Sequence, residues 1–230
     1  MQGEYYINLS GIYDGYEPEI DCKDVEGTNC YCDDAAKDTL RKRLSHVPTH
    51  ALHYLDSGNY HYLSYFFLER ITKDFALVLF DRHPDYQLPS FGDILSCGGW
   101  VKNAFDDLNY LKKVYMVGVD ENLFSALKDV PKEVKLLGIN DVADISMELP
   151  IYISIDKDVL AKTWAACDWD QGELSLWELR SALEVLKKHN VLGVDVCGEK
   201  KESPSEEDLY KNESVNEEIR NLFRLRHDMI

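Results

Sequence analysis

The sequence predicts an α/β fold with three αβα layers around a mostly parallel sheet. Several short runs, such as residues 76–80 and 115–119, are continuously apolar, as strands covered on both faces tend to be. Stretches with helical periodicity separate these runs. Motifs containing aspartate directly follow two of the runs, where open α/β sheets carry their functional sites.

The predicted elements can be justified in chain order. Short β-branched or aromatic runs predict strands at residues 5–9, 50–55, 75–80, 113–119, 134–139, 151–155 and 191–196. Helical periodicity predicts helices at residues 35–46, 62–71, 176–188 and near 215–226. Ser175 and Glu178 form a capping-box pattern at the start of the third helix. The polar residues 199–213 are interpreted as an exposed loop, and one domain is expected over residues 1–230.

Charge and hydrophobicity restrict the partners. The chain has 230 residues, 45% of them hydrophobic, and its 42 acidic against 25 basic residues give a net charge of -17. This charge repels phosphate backbones, which argues against nucleic acid, and favours cationic small molecules, peptides or metal ions. No apolar run approaches the roughly 18 to 20 residues of a membrane span. With no signal-like start, a cytoplasmic protein is expected, and a homo-oligomer is left open.

The cysteines are expected to be reduced. Six cysteines in a chain without a secretory signal favour free thiols over a disulfide framework. Three of them, Cys22, Cys30 and Cys32, are clustered in a polar stretch. A thiolate metal site there is an alternative to buried thiols, although the spacing lacks the paired CxxC of zinc sites.

Two polar motifs follow predicted strands, and a third lies at a glycine turn. Asp81, His83 and Asp85 come directly after residues 75–80, and alternate residues of an extended segment point the same way. Asp156 and Asp158 leave the end of residues 151–155 in the same manner. A third polar side chain, His61, follows a glycine turn after residues 50–55. Carboxylates combined with imidazoles suit a divalent first-row metal such as manganese.

At this point the chain resembles the ureohydrolase family, which includes arginases and agmatinases. The family's GGDH turn is similar to GNYH at residues 58–61, its DAHxD to DRHPD at 81–85, and its SxDxDxxDP to SIDKDVLAK at 154–162. The resemblance covers roughly residues 50–200. It implies an arginase/deacetylase-like fold and a hydrolase with a binuclear manganese centre.

The resemblance also implies roles for individual residues. One Mn²⁺ would be bound by His61, Asp81, Asp85 and Asp156, and the other by His83, Asp81, Asp156 and Asp158. Two ions about 3.5 Å apart generate a hydroxide at neutral pH, which would attack the carbon of a guanidino or amidino group. Asp85 would protonate the departing amine. The products would be urea, or a related amide, and an amine, and the substrate a cationic guanidino small molecule or an arginine-containing peptide.

The chain departs from the family pattern in the substrate region. Cys97 stands where the family has a proton-shuttling histidine, and a neutral thiol is a poorer shuttle. Glu199 lies one position beyond the glutamate that pairs the substrate guanidinium, so it either reaches the substrate through a bulge or opens a loop. Residues 167–172 occupy the place of the family's Gly-Thr-Pro loop, with Trp169 between two aspartates. This segment either cradles a cation or forms a tight turn that caps the next helix.

Other interpretations remain open on the sequence alone. In a haloacid-dehalogenase-type phosphatase, Asp156 would be the nucleophile and Asp158 the general acid, but this leaves DRHPD and His61 unexplained. A zinc deacetylase on the related fold is a second alternative. A third is a catalytically inactive metal-binding homologue, and a fourth, within the favoured class, is a peptide arginase.

Overall fold

The computed structural model describes residues 1–88 and 94–224 of the chain, and an eight-stranded parallel sheet forms its centre. The strands in chain order are β1 Glu4–Asn8, β2 Glu19–Asp21, β3 Tyr31–Cys32, β4 Leu52–Tyr54, β5 Phe75–Phe80, β6 Leu95–Ser96, β7 Leu111–Val117, β8 Val134–Leu137, β9 Ile151–Asp156 and β10 Val191–Cys197. The order in the sheet is β2-β1-β4-β10-β9-β5-β7-β8, and every neighbouring pair is parallel. The strands β3 and β6 form a separate antiparallel pair.

Helices cover both faces of the sheet. They are α1 Asp34–Leu44, α2 Ser64–Leu68, α3 Trp100–Asp107, α4 Glu121–Ser125, α5 Leu176–Leu186 and α6 Glu206–Phe223, with 3-10 helices at Gly58–Leu63, Ile139–Asp144 and Lys157–Val159. Buried residues of α1, α2 and α3 pack in one apolar cluster, and those of α5 and α6 pack in a second cluster. The predicted three-layer fold is therefore confirmed.

Strand β5 shows why the apolar runs are continuous. Leu77 and Leu79 join the first cluster, whereas Val78 and Phe80 join the second. Successive side chains of a strand point to opposite faces, so a strand with helices on both sides needs apolar residues throughout. All six residues of β5 are buried.

The seven predicted strands are present, with ends that differ by a few residues. The predicted loop over residues 199–213 is wrong from Glu206 onward, because α6 begins there. Ser205 accepts a hydrogen bond from the backbone N–H of Asp208, which completes a capping box at the start of α6. The predicted end of this last helix, near residue 226, lies outside the described residues. The short strand β2 and the helix α3 were not predicted.

The predicted helix at residues 62–71 is shorter in the structure. A 3-10 helix occupies Gly58–Leu63, and α2 covers only Ser64–Leu68.

The helices of the sheet layers were also compared with the length of a membrane span. Among the described residues, no helix combines the length and the apolar character needed to cross a membrane.

Candidate metal centre

The predicted polar motifs meet at one edge of the sheet. Strand β9 lies between β5 and β10, so its last residue, Asp156, is next to the segment that follows β5. That segment begins with Asp81. The 3-10 helix after β4 brings His61 to the same edge. Parallel strands place their carboxyl ends together, and this geometry assembles residues that are far apart in the sequence.

His61 lies at the centre of three carboxylates. Its Nδ1 is 3.0 Å from Asp85 Oδ2, 3.2 Å from Asp81 Oδ2 and 3.7 Å from Asp156 Oδ2, and the imidazole is 1% exposed. Despite these short distances, no group among residues 1–88 and 94–224 meets hydrogen-bond geometry with this buried nitrogen. The opposite nitrogen, Nε2, lies 2.9 Å from Ser154 Oγ.

The contact between His61 Nε2 and Ser154 Oγ helps to decide whether a cation fits at the other ring nitrogen of His61. When Nε2 donates to Ser154 Oγ, Nδ1 presents its lone pair to the carboxylate oxygens of Asp81, Asp85 and Asp156. Such an arrangement is repulsive unless a proton or a metal cation lies between the groups. Metal-binding histidines are typically held by a hydrogen bond at the other ring nitrogen, and Ser154 can provide that bond.

A second group of ligands adjoins the first. His83 Nδ1 is 2.8 Å from Asp158 Oδ2 and 3.6 Å from Asp81 Oδ1. Backbone N–H groups fix these carboxylates, because Arg82 donates to Asp158 Oδ1 at 3.0 Å and Asp158 donates to Asp156 Oδ1 at 2.9 Å. Two groups of candidate ligand atoms result, each within 4.8 Å: His61, Asp81 and Asp156, and Asp81, His83 and Asp158. Asp81 belongs to both groups.

Burial makes the carboxylate cluster unfavourable without a counter-charge. Burial and the carboxylates of Asp158 and Asp81 raise the pKa of Asp156 well above its usual value. Burial and Asp81 likewise raise the pKa of Asp158 to about 7. Divalent cations would neutralise this repulsion, and carboxylate and imidazole donors suit manganese. The residues present therefore fit divalent metal ions.

The cluster lines a cleft of about 240 Å³. Its walls are formed by Cys30, Tyr31, Gly58, Asp81, His83, Asp85, Gln87, Leu88, Ser96, Cys97, Gly98, Asp156, Asp158 and Trp169. The Trp169 ring centre is 6.0 Å from that of His83, and its Nε1 donates to Asn59 Oδ1. Burial, the Asp85 carboxylate and the Cys30 thiol raise the pKa of Cys97.

Glu199 does not line this cleft, and its expected contact with substrate needs correction. Its side chain is buried and forms an ion pair with Lys157, which is 0% exposed. Tyr13 Oη donates to Glu199 Oε1 at 3.1 Å, and Asn216 Nδ2 donates to the same oxygen at 2.9 Å. These contacts pair the carboxylate inside the protein. Gly198 has a φ of +92°, and this turn redirects the chain after β10.

Three residues of the site were not assigned roles from the sequence. Trp100 Nε1 donates to Asp85 Oδ2 at 2.8 Å, Ser154 contacts His61, and Lys157 pairs with Glu199. Ser154 belongs to the SIDKD motif, and its position in that motif is the sequence signal for a residue of the site. No sequence pattern marks Trp100, which reaches Asp85 from the start of α3.

The alternative of a thiolate metal site finds no support among the described residues. Cys22 and Cys32 are buried, Cys30 faces the cleft, and neither group of candidate ligands within residues 1–88 and 94–224 includes any of them. All six cysteines are free in the structure.

Replacing Gly198 by alanine should damage the ligand cluster. A Cβ at Gly198 would overlap Asp156 Oδ1 and lie 2.8 Å from the Lys157 backbone nitrogen. The positive φ of Gly198 adds backbone strain to this overlap, because alanine adopts that region at a cost. We therefore expect a loss of about 1–3 kcal/mol in unfolding free energy and weaker manganese binding. Urea denaturation and equilibrium dialysis measure the two effects.

The matched control for this substitution is Gly15→Ala. Gly15 has a similar φ of +87° but nothing within 4 Å of a built Cβ, so it isolates the backbone cost. The control should bind manganese like the wild type. Equal manganese affinity in Gly198→Ala would show that Gly198 does not position Asp156.

The parallel sheet has helices on both faces and two adjoining groups of candidate ligands at its edge. These features define a class of α/β proteins with a candidate metal site at the sheet edge. Consistent with this class, the model of the arginase family matches residues 20–199. The chain belongs to the arginase family. This assignment confirms the resemblance found in the sequence motifs and removes the phosphatase interpretation.

One protein is similar to the chain in sequence, and solved structures share its fold. An uncharacterized protein of Thermotoga maritima is 35% identical over 159 residues, which are 66% of this chain and 60% of that protein. The agmatine ureohydrolase of Thermoplasma volcanium has a similar structure, with a TM-score of 0.70, 15% identity, and coverage of 96% of this chain and 89% of that one. The arginase of Entamoeba histolytica, solved with L-ornithine, has a TM-score of 0.65 at 13% identity over 98% and 99% of the two chains.

Proposed function

We propose that the protein is a metal-dependent hydrolase that cleaves a C–N bond of a guanidino or amidino compound. The observation that carries this proposal is that five side chains converge on the cleft, Asp81, His83, Asp85, Asp156 and Asp158, with His61 buried beside them. Within residues 1–88 and 94–224, no group meets hydrogen-bond geometry with Nδ1 of this imidazole. Membership of the arginase family supports it. The chain spans 60% of the length of its Thermotoga relative, so the activity is argued from the site itself.

The proposed ligand sets follow the two adjoining groups. His61, Asp81, Asp85 and Asp156 would hold one ion, and His83, Asp81, Asp156 and Asp158 the other, with manganese as the proposed metal. When bound, two such ions supply an activated water at neutral pH as the nucleophile. Asp81 and Asp156 are the shared ligands in this arrangement.

The chain's own residues would perform the remaining steps. Asp85 lines the cleft and is held by Trp100, so we assign it the transfer of a proton to the departing amine. Trp169 and Tyr31 provide aromatic walls, against which a planar cation can pack. Cys97 lies in the cleft where it can contact substrate, but its raised pKa makes it a weak proton carrier at neutral pH. Glu199 has no part in this proposal.

The substrate is proposed as a cationic guanidino or amidino small molecule, which the net charge of -17 would attract. The test is a screen of the manganese-loaded protein against agmatine, arginine, simple amidines and an arginine-containing peptide. Amine release should accompany urea, or the corresponding amide, in at least one reaction. Asp85→Asn should bind substrate but turn it over at least about 100-fold more slowly.

Two outcomes would contradict the proposal. One is manganese-loaded protein that releases no amine from any member of the panel. The other is release at the same rate by wild type and Asp85→Asn, which would remove Asp85 from the reaction. Release from the peptide but not from agmatine, arginine or the amidines would favour a peptide arginase.

A further inference from the structure

Two cysteines face each other across the small antiparallel pair of strands. Tyr31 of β3 is opposite Ser96 of β6, and the next residues outward are Cys30 and Cys97. The Cys97 backbone N–H donates to the Cys30 carbonyl at 2.9 Å. Cross-strand neighbours in a regular antiparallel pair have Cα atoms about 4.5–5.5 Å apart, which lies inside the range of about 4.4–6.8 Å found for disulfides. The position of the two cysteines next to the paired residues is therefore compatible with a disulfide.

Both thiols are accessible from the cleft. Cys30 and Cys97 are partly exposed and line its wall, whereas Cys22, Cys32 and Cys197 are buried. The thiols are also close enough that Cys30 contributes to the raised pKa of Cys97, after burial and Asp85.

The backbone at Cys30 supports a special role for this position. Its φ of +61° is in the left-handed region, which a residue with a Cβ adopts at an energetic cost. This conformation ends the extended segment at β3, and Cys30 lines the cleft from there. Strained positions of this kind are concentrated at functional sites.

We propose that Cys30 and Cys97 form a reversible disulfide in the wall of the cleft. The oxidant would be a small-molecule disulfide such as oxidised glutathione. The Cys30 thiolate attacks one glutathione sulfur and releases the first glutathione thiol. Cys97 then attacks the Cys30 sulfur, loses its proton and releases the second glutathione thiol. Two protein thiols are oxidised and one small-molecule disulfide is reduced to two thiols.

The bond would change the cleft beside the ligand cluster. Gln87 N–H donates to the Gly98 carbonyl at 3.0 Å, so the residues that follow β6, including Cys97, are tied to the segment that follows β5 and carries Asp85. A disulfide joins these residues covalently to Cys30, directly before β3, and removes both thiols from the wall. We expect oxidised protein to hydrolyse its substrate several-fold more slowly until it is reduced. This last effect rests on the proposed function, whereas formation of the disulfide does not.

The first measurement is a count of free thiols, which does not depend on enzymatic activity. Folded protein is incubated with oxidised glutathione, and free thiols are counted after denaturation. Wild type should lose two of its six thiols without retaining glutathione, and peptide mass spectrometry should find Cys30 linked to Cys97. Cys30→Ser and Cys97→Ser should each carry a glutathione adduct at the remaining thiol. Cys167→Ser, which removes the third partly exposed cysteine, should behave like wild type.

The results that overturn the proposal are distinct from failure of the proposed function. Stable glutathione adducts on wild type, or a link between other cysteines, would exclude the Cys30–Cys97 pair. A correct link that leaves turnover equal to that of reduced protein would exclude control of the cleft. The double variant Cys30→Ser with Cys97→Ser can form neither the link nor an adduct at these positions, so oxidation should not slow it. Reduced protein without any activity would contradict the proposed function, and the thiol count would still decide whether the disulfide forms.

Discussion

Asp156→Asn is expected to lower the manganese content of the loaded protein from the two ions per chain of the proposed ligand sets to less than one. Asp156 is the last residue of β9 and lies within reach of both His61 and Asp158. The amide that replaces the carboxylate is neutral and is a weaker ligand for a hard cation. Elemental analysis after manganese loading and dialysis measures the change.

The same substitution should change stability in opposite directions with and without metal. Without metal, the neutral side chain relieves repulsion among buried carboxylates, so Asp156→Asn should melt at or above the wild-type temperature. With manganese, wild type gains stability from binding to the folded state, and the order should reverse.

Asp170→Asn provides the control, since Asp170 is exposed and does not line the cleft. It should bind manganese like the wild type. Unchanged manganese content in Asp156→Asn would contradict the proposed ligand set.

Lys157→Met is expected to lower the unfolding free energy by about 3–5 kcal/mol, because it leaves the buried carboxylate of Glu199 without its cation. Neither side chain of the pair is more than 6% exposed, so water cannot replace the lost partner. Tyr13 and Asn216 would still donate to the carboxylate, but neither carries a charge. Urea denaturation of wild type and variant measures the loss.

A second variant separates a broken ion pair from a packing defect. In Lys157→Met with Glu199→Gln, the neutral amide keeps an acceptor for Tyr13 and Asn216, so most of the stability should return. Lys162→Met, at an exposed position, should change stability by less than about 0.5 kcal/mol. A loss below about 1 kcal/mol in Lys157→Met would show that Glu199 does not depend on Lys157.

The stability difference should also depend on pH. Burial alone would raise the pKa of Glu199, but the Lys157 charge and the hydrogen bonds lower it overall. A lowered carboxyl pKa contributes stability above the unfolded value of about 4.3, and this contribution is lost as the pH falls through the lower folded value. The difference between wild type and Lys157→Met should therefore shrink in acid.

The sequence predicts most of the fold because strand geometry imposes a simple pattern. A strand with helices on both faces must be apolar throughout, as β5 is, and its polar continuation then marks the sheet edge. The positions of Asp81 and Asp156 follow from this rule alone. The ligand at His61 required the additional resemblance to a family motif.

The remaining features depend on contacts that no local pattern encodes. The direction of Glu199 is set by the positive φ of Gly198 and by Lys157, which lies 42 residues away in the chain. Trp100 supports Asp85 only because α3 packs beside the cleft. The early start of α6 has a local cause, the cap formed by Ser205 and Asp208, within a stretch whose polarity suggested a loop.

The tryptophans next to the ligands give the protein an internal optical reporter. Trp100 donates to Asp85, and Trp169 lies against His83, whereas Trp164 and Trp177 form a separate pair whose ring centres are 6.2 Å apart. A cation on the proposed ligands Asp85 or His83 would change the electric field at the first two indoles, and the other pair would serve as an internal reference. Fluorescence emission of the unlabelled protein would then follow metal binding and release in real time.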